Sequence, residues 1–284
     1  MASLKNNNLP SSEAMLGRQK GKPVIYVEGE SDRKIFENYW FNELLGKVGF
    51  NTVAATQGCT AVVNTVAGDR KQGIESFGIV DRDKLMADGN WSLLRETNDE
   101  AFEQARPYPE IKITLRWELE SYLIEPDALE AYLAPAQSGR LARSTSEVEK
   151  ELLEHADALI PFAALNQALH YHVTAAPGDG YTGLDDRLAV QNKIDRDKLA
   201  EPPNVGKNYQ ENIPLMDAFA GAPTATPRQK LQGLLRTVNG KAMLERVKMA
   251  AHIQHDITYL IAKEIKQAGH VPAEIEHFVQ QCCN

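Results

Sequence analysis

Apolar and polar positions along this chain repeat with two different periods, and the change of period divides it. Short β-branched or apolar runs at Pro23–Val27, Thr52–Ala55, Phe77–Val80 and Ile111–Leu115 predict four strands. Between them, helical spacing marks three helices. One covers roughly 32 to 46, with Ile35, Phe36, Tyr39, Trp40 and Leu44 on its apolar side and Ser31 and Asp32 at its start. A second follows Gly58, with Ala61, Val62 and Val66, and a third lies near 98 to 105. Strands alternating with helices predict βαβ units, so the expected fold is α/β, a Rossmann-like parallel sheet flanked by helices over residues 23–125. Residues 1–22 have no periodicity and are expected to be a flexible lead.

From Pro126 the pattern becomes helical. A helix with proline at its first position is predicted for Pro126–Leu133, and a long one runs from Ser146 to about Leu169. Residues 174–227 are rich in Gly and Pro and read as loops. Helices resume at about 227–238, 241–252, 255–268 and 272–282, with Asn239-Gly240 as a C-cap and turn between the first two. Residues 126–284 are therefore expected to form a mainly helical C-terminal region.

Hydrophobic residues make up 43% of the 284, enough for a substantial core. No apolar run reaches the length of about eighteen residues that a membrane helix needs, and the first twenty residues lack the apolar centre of a signal peptide. A cytoplasmic protein without membrane contact is expected. Cys59, Cys282 and Cys283 form neither a disulfide framework nor a zinc spacing. A net charge of −8 argues against an autonomous, tight nucleic-acid clamp, while leaving room for a carboxylate-rich catalytic centre with a local basic patch.

The candidate chemistry is acidic. Glu28 directly follows the first predicted strand and Asp81 the third, where open α/β sheets bind ligands. With Arg82 pointing away, Asp81 and Asp83 share one direction. Three clustered carboxylates repel one another unless a cation holds them, and hard oxygen donors suit Mg²⁺ or Mn²⁺. Gly29 permits a sharp turn and close backbone approach to a ligand.

Val27-Glu28-Gly29-Glu30-Ser31-Asp32 resembles the first motif of the TOPRIM superfamily, Glu-Gly-x-x-Asp after a hydrophobic strand. Gly78-Ile-Val-Asp81-Arg-Asp83 resembles the second, and Gly58 stands where the family has a glycine before its second helix. Arg116-Trp-Glu-Leu-Glu120-Ser-Tyr-Leu123, followed by Glu125-Pro126, is similar to the Glu-Asn-Tyr-Leu segment of OLD-like TOPRIM nucleases, with Ser121 in place of Asn. Val238-Asn-Gly-Lys241 resembles a Gly-Lys segment in stand-alone TOPRIM effectors of bacterial anti-phage systems, the PARIS type among them.

The resemblance implies a TOPRIM fold and a Mg²⁺-dependent endonuclease acting on DNA or RNA, tRNA included. Glu28, Asp81 and Asp83 would be catalytic metal ligands, Glu120 would complete a second metal site, and Lys241 would neutralise the scissile phosphate. It also implies an ATPase partner, since this chain has no Walker A motif, and a homodimer as the active form.

Several residues have plainer readings. Helix capping explains Asp32. Glu118 competes with Glu120 for one role. Arg82 and Lys84 could touch phosphate, but solvated surface positions are the default. His252 and His255 have helical spacing without a third ligand, and His170 and His172 are two apart, wrong for one helix face. Two rival functions share these residues. Asp81-Arg-Asp83 also resembles the nucleophile motif of haloacid-dehalogenase-type phosphatases, with Gly178-Asp179-Gly180 and Asp185-Asp186 imitating their metal motif. A non-catalytic TOPRIM interaction module is the other alternative.

Overall fold

A computed structural model describes residues 21–53, 58–136, 144–175, 177 and 180–283. Residues 1–20 of the expected lead, Ala54 and Ala55 of the second expected strand, and Gly178 and Asp179 of the phosphatase-like motif lie outside the described residues.

The fold is α/β, with a four-stranded, all-parallel sheet flanked by helices. The strands are β1 (Val24–Val27), β2 (Gly49–Thr52), β3 (Ser76–Val80) and β4 (Ile111–Ile113), in spatial order β2-β1-β3-β4. Val24 is in register with Gly49 on one side and Ser76 on the other. All four residues of β1 are buried, as expected for a central parallel strand covered on both faces.

The chain divides into two compact units. The first comprises residues 1–80, 108–112 and 271–284. Here α1 (Glu30–Ile35) follows β1, and α2 (Gly58–Lys71) links β2 to β3. A Cβ on Gly78, in the middle of β3, would come within 2.6 Å of Val62 and 2.7 Å of Ile111 side-chain carbons, so a bare backbone at this point lets α2 and β4 close on the strand. The Tyr26 hydroxyl donates to Asp69 of α2 at 2.8 Å, which satisfies a buried acid. The C-terminal helix Ala273–Gln281 brings Phe278 edge-on to Phe77 at 6.1 Å.

The second unit comprises residues 81–107 and 113–270. Its centre is the 27-residue helix Thr145–Tyr171, begun by a capping box between Ser144 and Glu147. Helices that pack on it include Pro126–Ala136, Arg187–Arg196, Pro203–Asp217, Pro227–Leu234 and Gly240–Ala250.

Several expected elements are corrected. The predicted helix over 32–46 is α only to Ile35. A π turn (Phe36–Trp40) and a 3₁₀ turn (Asn42–Leu44) replace the rest, and the wider turn buries Phe36, Trp40 and Phe41 together against Phe50 of β2. The second strand lies earlier, at Gly49–Thr52. Residues 174–227 are not loops throughout, for they hold Arg187–Arg196 and Pro203–Asp217. Val205, Tyr209, Asn212 and Met216 form the buried stripe of the latter. Gly206, in the segment read as loops, is a packing position, since a Cβ there would lie 2.4 Å from the Ala200 carbonyl oxygen; so is Gly233, inside its expected helix, where a Cβ would lie 1.7 Å from the Phe219 carbonyl oxygen.

Candidate functional site

Asp81 is the first residue after β3. One of its carboxylate oxygens accepts the Leu119 N–H at 3.0 Å. The chain then bends: Asp83 has helical backbone angles and precedes the short helix Lys84–Ala87. Asp81 and Asp83 are both partly accessible, while Arg82 between them is completely buried.

Arg82 is a correction. It neither faces solvent nor stands ready for phosphate. Its guanidinium donates to the carbonyls of Leu94 at 3.0 Å, Glu96 at 2.7 Å and Leu115 at 2.8 Å, and lies 4.3 Å from the Phe102 ring centre. Its own N–H donates to the Trp117 carbonyl at 3.0 Å. Burial pushes its pKa down to about 9, with Arg236 adding to the effect, and it still carries its charge at neutral pH. Arg82 thus fixes the backbone on both sides of the two aspartates. Lys84 is buried as well, paired with Asp88, and is not a surface cation.

The Gly-Lys segment meets the Glu118–Glu120 segment. Asn239 is not part of a C-cap: it is the N-cap of the helix Gly240–Ala250, and its side chain accepts the Ala242 N–H at 2.8 Å. A Cβ on Gly240 would fall 2.2 Å from the Ser121 nitrogen and 2.6 Å from the Glu120 carbonyl carbon, so glycine alone allows this approach. The approach brings the Lys241 N–H to Glu118 at 2.7 Å. The Lys241 ammonium lies 3.0 Å from Glu118 and 3.5 Å from Glu120. Glu118, ranked below Glu120 from sequence, is the more deeply placed, at 5% exposure, whereas Lys241 is 62% exposed.

Burial raises the Glu118 carboxyl above the usual range, and neighbouring Glu120 adds to this while Lys241 opposes it. Burial also raises Asp83, with Lys241 and His170 opposing. For Lys241, burial alone would lower the pKa. Glu118 and Glu120, the hydrogen bond to Glu118, and Asp81 together outweigh it and hold the ammonium above its ordinary range. Four carboxylates against one ammonium leave a formal excess of negative charge, and every donor is an oxygen. Among the described residues, however, the four acids are not a set whose ligand atoms converge within 4.8 Å of one another.

In the first unit, Glu28 follows β1 directly and is partly accessible. The Gly29 N–H donates to Asp32 at 3.0 Å, so Asp32 does the helix-capping work that its position suggested. Gly58 has φ of +49°, and a Cβ there would meet a Glu28 carboxylate oxygen at 3.9 Å, an ordinary contact.

Other candidates resolve differently. Arg116 donates to the Ser121 carbonyl at 2.9 Å and covers the Tyr122 ring, holding the turn that carries Glu120. His252 lies beyond the end of its helix with φ of +57°, and the His255 ring bonds the Tyr132 hydroxyl at 2.8 Å, so the two do not share a helix face. Asp186 of the phosphatase-like motif is an N-cap that accepts the Ala189 N–H at 2.8 Å.

Among the described residues, the set that does converge was missed by sequence reading: Glu125, Asp127 and His270 bring ligand atoms within 4.8 Å of one another. Arg228 already engages it, 2.9 Å from Asp127 and 3.6 Å from Glu125, which makes it an ion-pair network. Among the described residues no helix is long and apolar enough to cross a membrane. No protein-family model and no curated protein matches this chain.

Proposed function

We propose that this chain is a TOPRIM-type, Mg²⁺-dependent endonuclease. What supports the reading is that Asp81 and Asp83 follow β3, that the Leu119 N–H ties Asp81 to the Glu118–Glu120 segment, and that Lys241 pairs with both glutamates. Asp81 and Asp83 would hold Mg²⁺ or Mn²⁺, with Glu120 beside them. Glu28 is proposed as the further acid because it and Asp81 each come one residue after the ends of paired parallel strands. A divalent ion so held supplies charge neutralisation at a phosphate oxygen and a water of lowered pKa.

The protein's own residues carry the rest. Lys241, kept protonated by its carboxylate neighbours, presents an exposed ammonium to a non-bridging phosphate oxygen. The Leu119 N–H orients one Asp81 oxygen. Arg82 sets the spacing of the aspartates without touching substrate. For Glu28 the resemblance supplies the role, metal ligand or general acid/base. No tyrosine is assigned as a nucleophile, so the products are a hydroxyl and a phosphate end.

The resemblance to anti-phage effectors extends the proposal: a toxic nuclease, homodimeric when active and controlled by an ATPase partner, cutting DNA or RNA, with tRNA among the targets. Wild-type and Glu28→Ala chains, each expressed with and without any ATPase that a neighbouring gene encodes, provide the test through sequencing of cellular DNA and RNA ends. New ends are expected with the wild type alone. Identical ends from both chains would refute the assignment.

A further inference from the structure

Beside the acid cluster, in the same unit, lies an exposed group of rings that the hydrolase reading leaves unused. Trp91 opens the helix Trp91–Leu94, eight residues after Asp83, and the long helix Thr145–Tyr171 ends next to it. The Trp91 and Tyr171 ring centres are 5.4 Å apart at 60°, and Trp91 and His170 are 6.2 Å apart at 63°. His172 stands edge-on to Tyr171 at 5.3 Å, and the Arg95 guanidinium lies 5.8 Å from the Trp91 ring centre. Tyr171 is 55% exposed, whereas Trp40 and Trp117 are buried.

The helix end is unusual too. The Thr174 N–H closes onto the Leu169 carbonyl at 2.9 Å, with Val173 at the left-handed position and φ of 54°. Glycine is the ordinary occupant there, and a β-branched residue is strained. Val173 is nevertheless 95% exposed, so an apolar side chain is held in water beside Tyr171.

We infer that Trp91 and Tyr171, with Arg95 and His170, form a stacking platform for an unpaired nucleobase of the substrate. An exposed tyrosine ring braced edge-on by Trp91, with the Arg95 guanidinium over the tryptophan, suits a flat base on an anionic backbone, and stacking of this kind accepts any base. The location agrees, because the short helix Lys84–Ala87 that follows Asp83 packs against both the Trp91–Leu94 helix and the long helix Thr145–Tyr171. A base seated on Tyr171 would bring its own backbone toward the aspartates. The inference rests on the hydrolase reading and narrows it to single-stranded or locally unpaired nucleic acid.

Binding tests it apart from catalysis. The full-length chain in EDTA is titrated with a single-stranded 12-mer, the same 12-mer with abasic positions, and a duplex of the same sequence, following tryptophan emission. Quenching by the base-bearing strand is expected, since Trp91 is the partly exposed tryptophan of the three. Binding to the abasic strand and the duplex should be roughly five- to a hundredfold weaker. Tyr171→Ala should weaken the base-bearing strand comparably, and Leu260→Ala, at an exposed position of the helix Thr258–Gln267, should not.

Equal affinity for base-bearing and abasic strands overturns the platform whatever the variants do. Metal-dependent cutting untouched by Tyr171→Ala also overturns it and leaves the hydrolase standing. Base-dependent quenching without any cutting supports the platform and removes the hydrolase.

Discussion

Replacing Gly240 with alanine tests how the Gly-Lys segment is built into the candidate site. The added methyl would lie 2.2 Å from the Ser121 nitrogen, 2.6 Å from the Glu120 carbonyl carbon and 2.7 Å from the Ser121 Cα. All three are backbone atoms, so no side chain can rotate out of the way. The helix must lift, and overpacking of this kind costs about 1–3 kcal/mol. Lifting also pulls the Lys241 N–H from the buried Glu118 carboxylate, now at 2.7 Å. A hydrogen bond to a charged group contributes about 1.5–3 kcal/mol. Gly240 has no positive φ, so alanine recovers up to about 1 kcal/mol of helix propensity. The net expectation is a loss of about 1.5–6 kcal/mol.

Urea unfolding followed by tryptophan emission reads this directly, because buried Trp117 is hydrogen-bonded to Leu235 at 2.8 Å near this contact. The midpoint should fall by roughly 1 M or more. Gly46→Ala, where a Cβ meets nothing within 4 Å, is the control and should stay within about 0.5 kcal/mol of wild type. An unchanged midpoint for Gly240→Ala would show that the two segments do not pack as described.

Arg82→Leu should destabilise by about 3–5 kcal/mol in the same urea assay, because it strands several buried carbonyls, and Arg82→Lys should restore only a small part, having no planar fork. Alkaline unfolding should depend on Tyr209. Burial pushes its hydroxyl up to about 12 from the ordinary 10.0, with Asp195 adding to the effect, so its contribution is complete below pH 10 and is lost as pH rises through 12. The difference corresponds to about 3 kcal/mol, and Tyr209→Phe should flatten the stability profile across that window. A Tyr209→Phe chain that follows the wild-type profile there would remove Tyr209 as the cause.

The strand–helix alternation and the acids at strand ends were legible because burial of a parallel strand leaves a local signature. The four apolar residues of β1 are an instance. Arg82 shows where local reading stops. Alternation predicts that it turns away from Asp81 and Asp83, but its burial depends on carbonyls at 93–96 and 115 that only the fold assembles. Glu118 shows the same limit, since its partner Lys241 is 123 residues away.

The Asn239 reading failed for a local reason. Asn-Gly fits a helix end as well as a helix start, and the choice is made by the Ser121 backbone lying against Gly240. In residues 174–227, Gly and Pro density hid two amphipathic helices. Pro203 sits in a first turn, where its missing N–H costs nothing, and Gly206 serves close packing.

Binding of Mn²⁺, followed by electron paramagnetic resonance at fixed pH, tests most directly whether the acids beyond β3 form a metal centre. The wild-type chain should bind the ion. Asp81→Asn and Asp83→Asn should each weaken binding at least about tenfold, and Glu28→Gln should weaken it measurably, with folding unchanged by circular dichroism. Mn²⁺ affinity that survives intact in Asp81→Asn and Asp83→Asn, or no bound Mn²⁺ in the folded wild type, would contradict it.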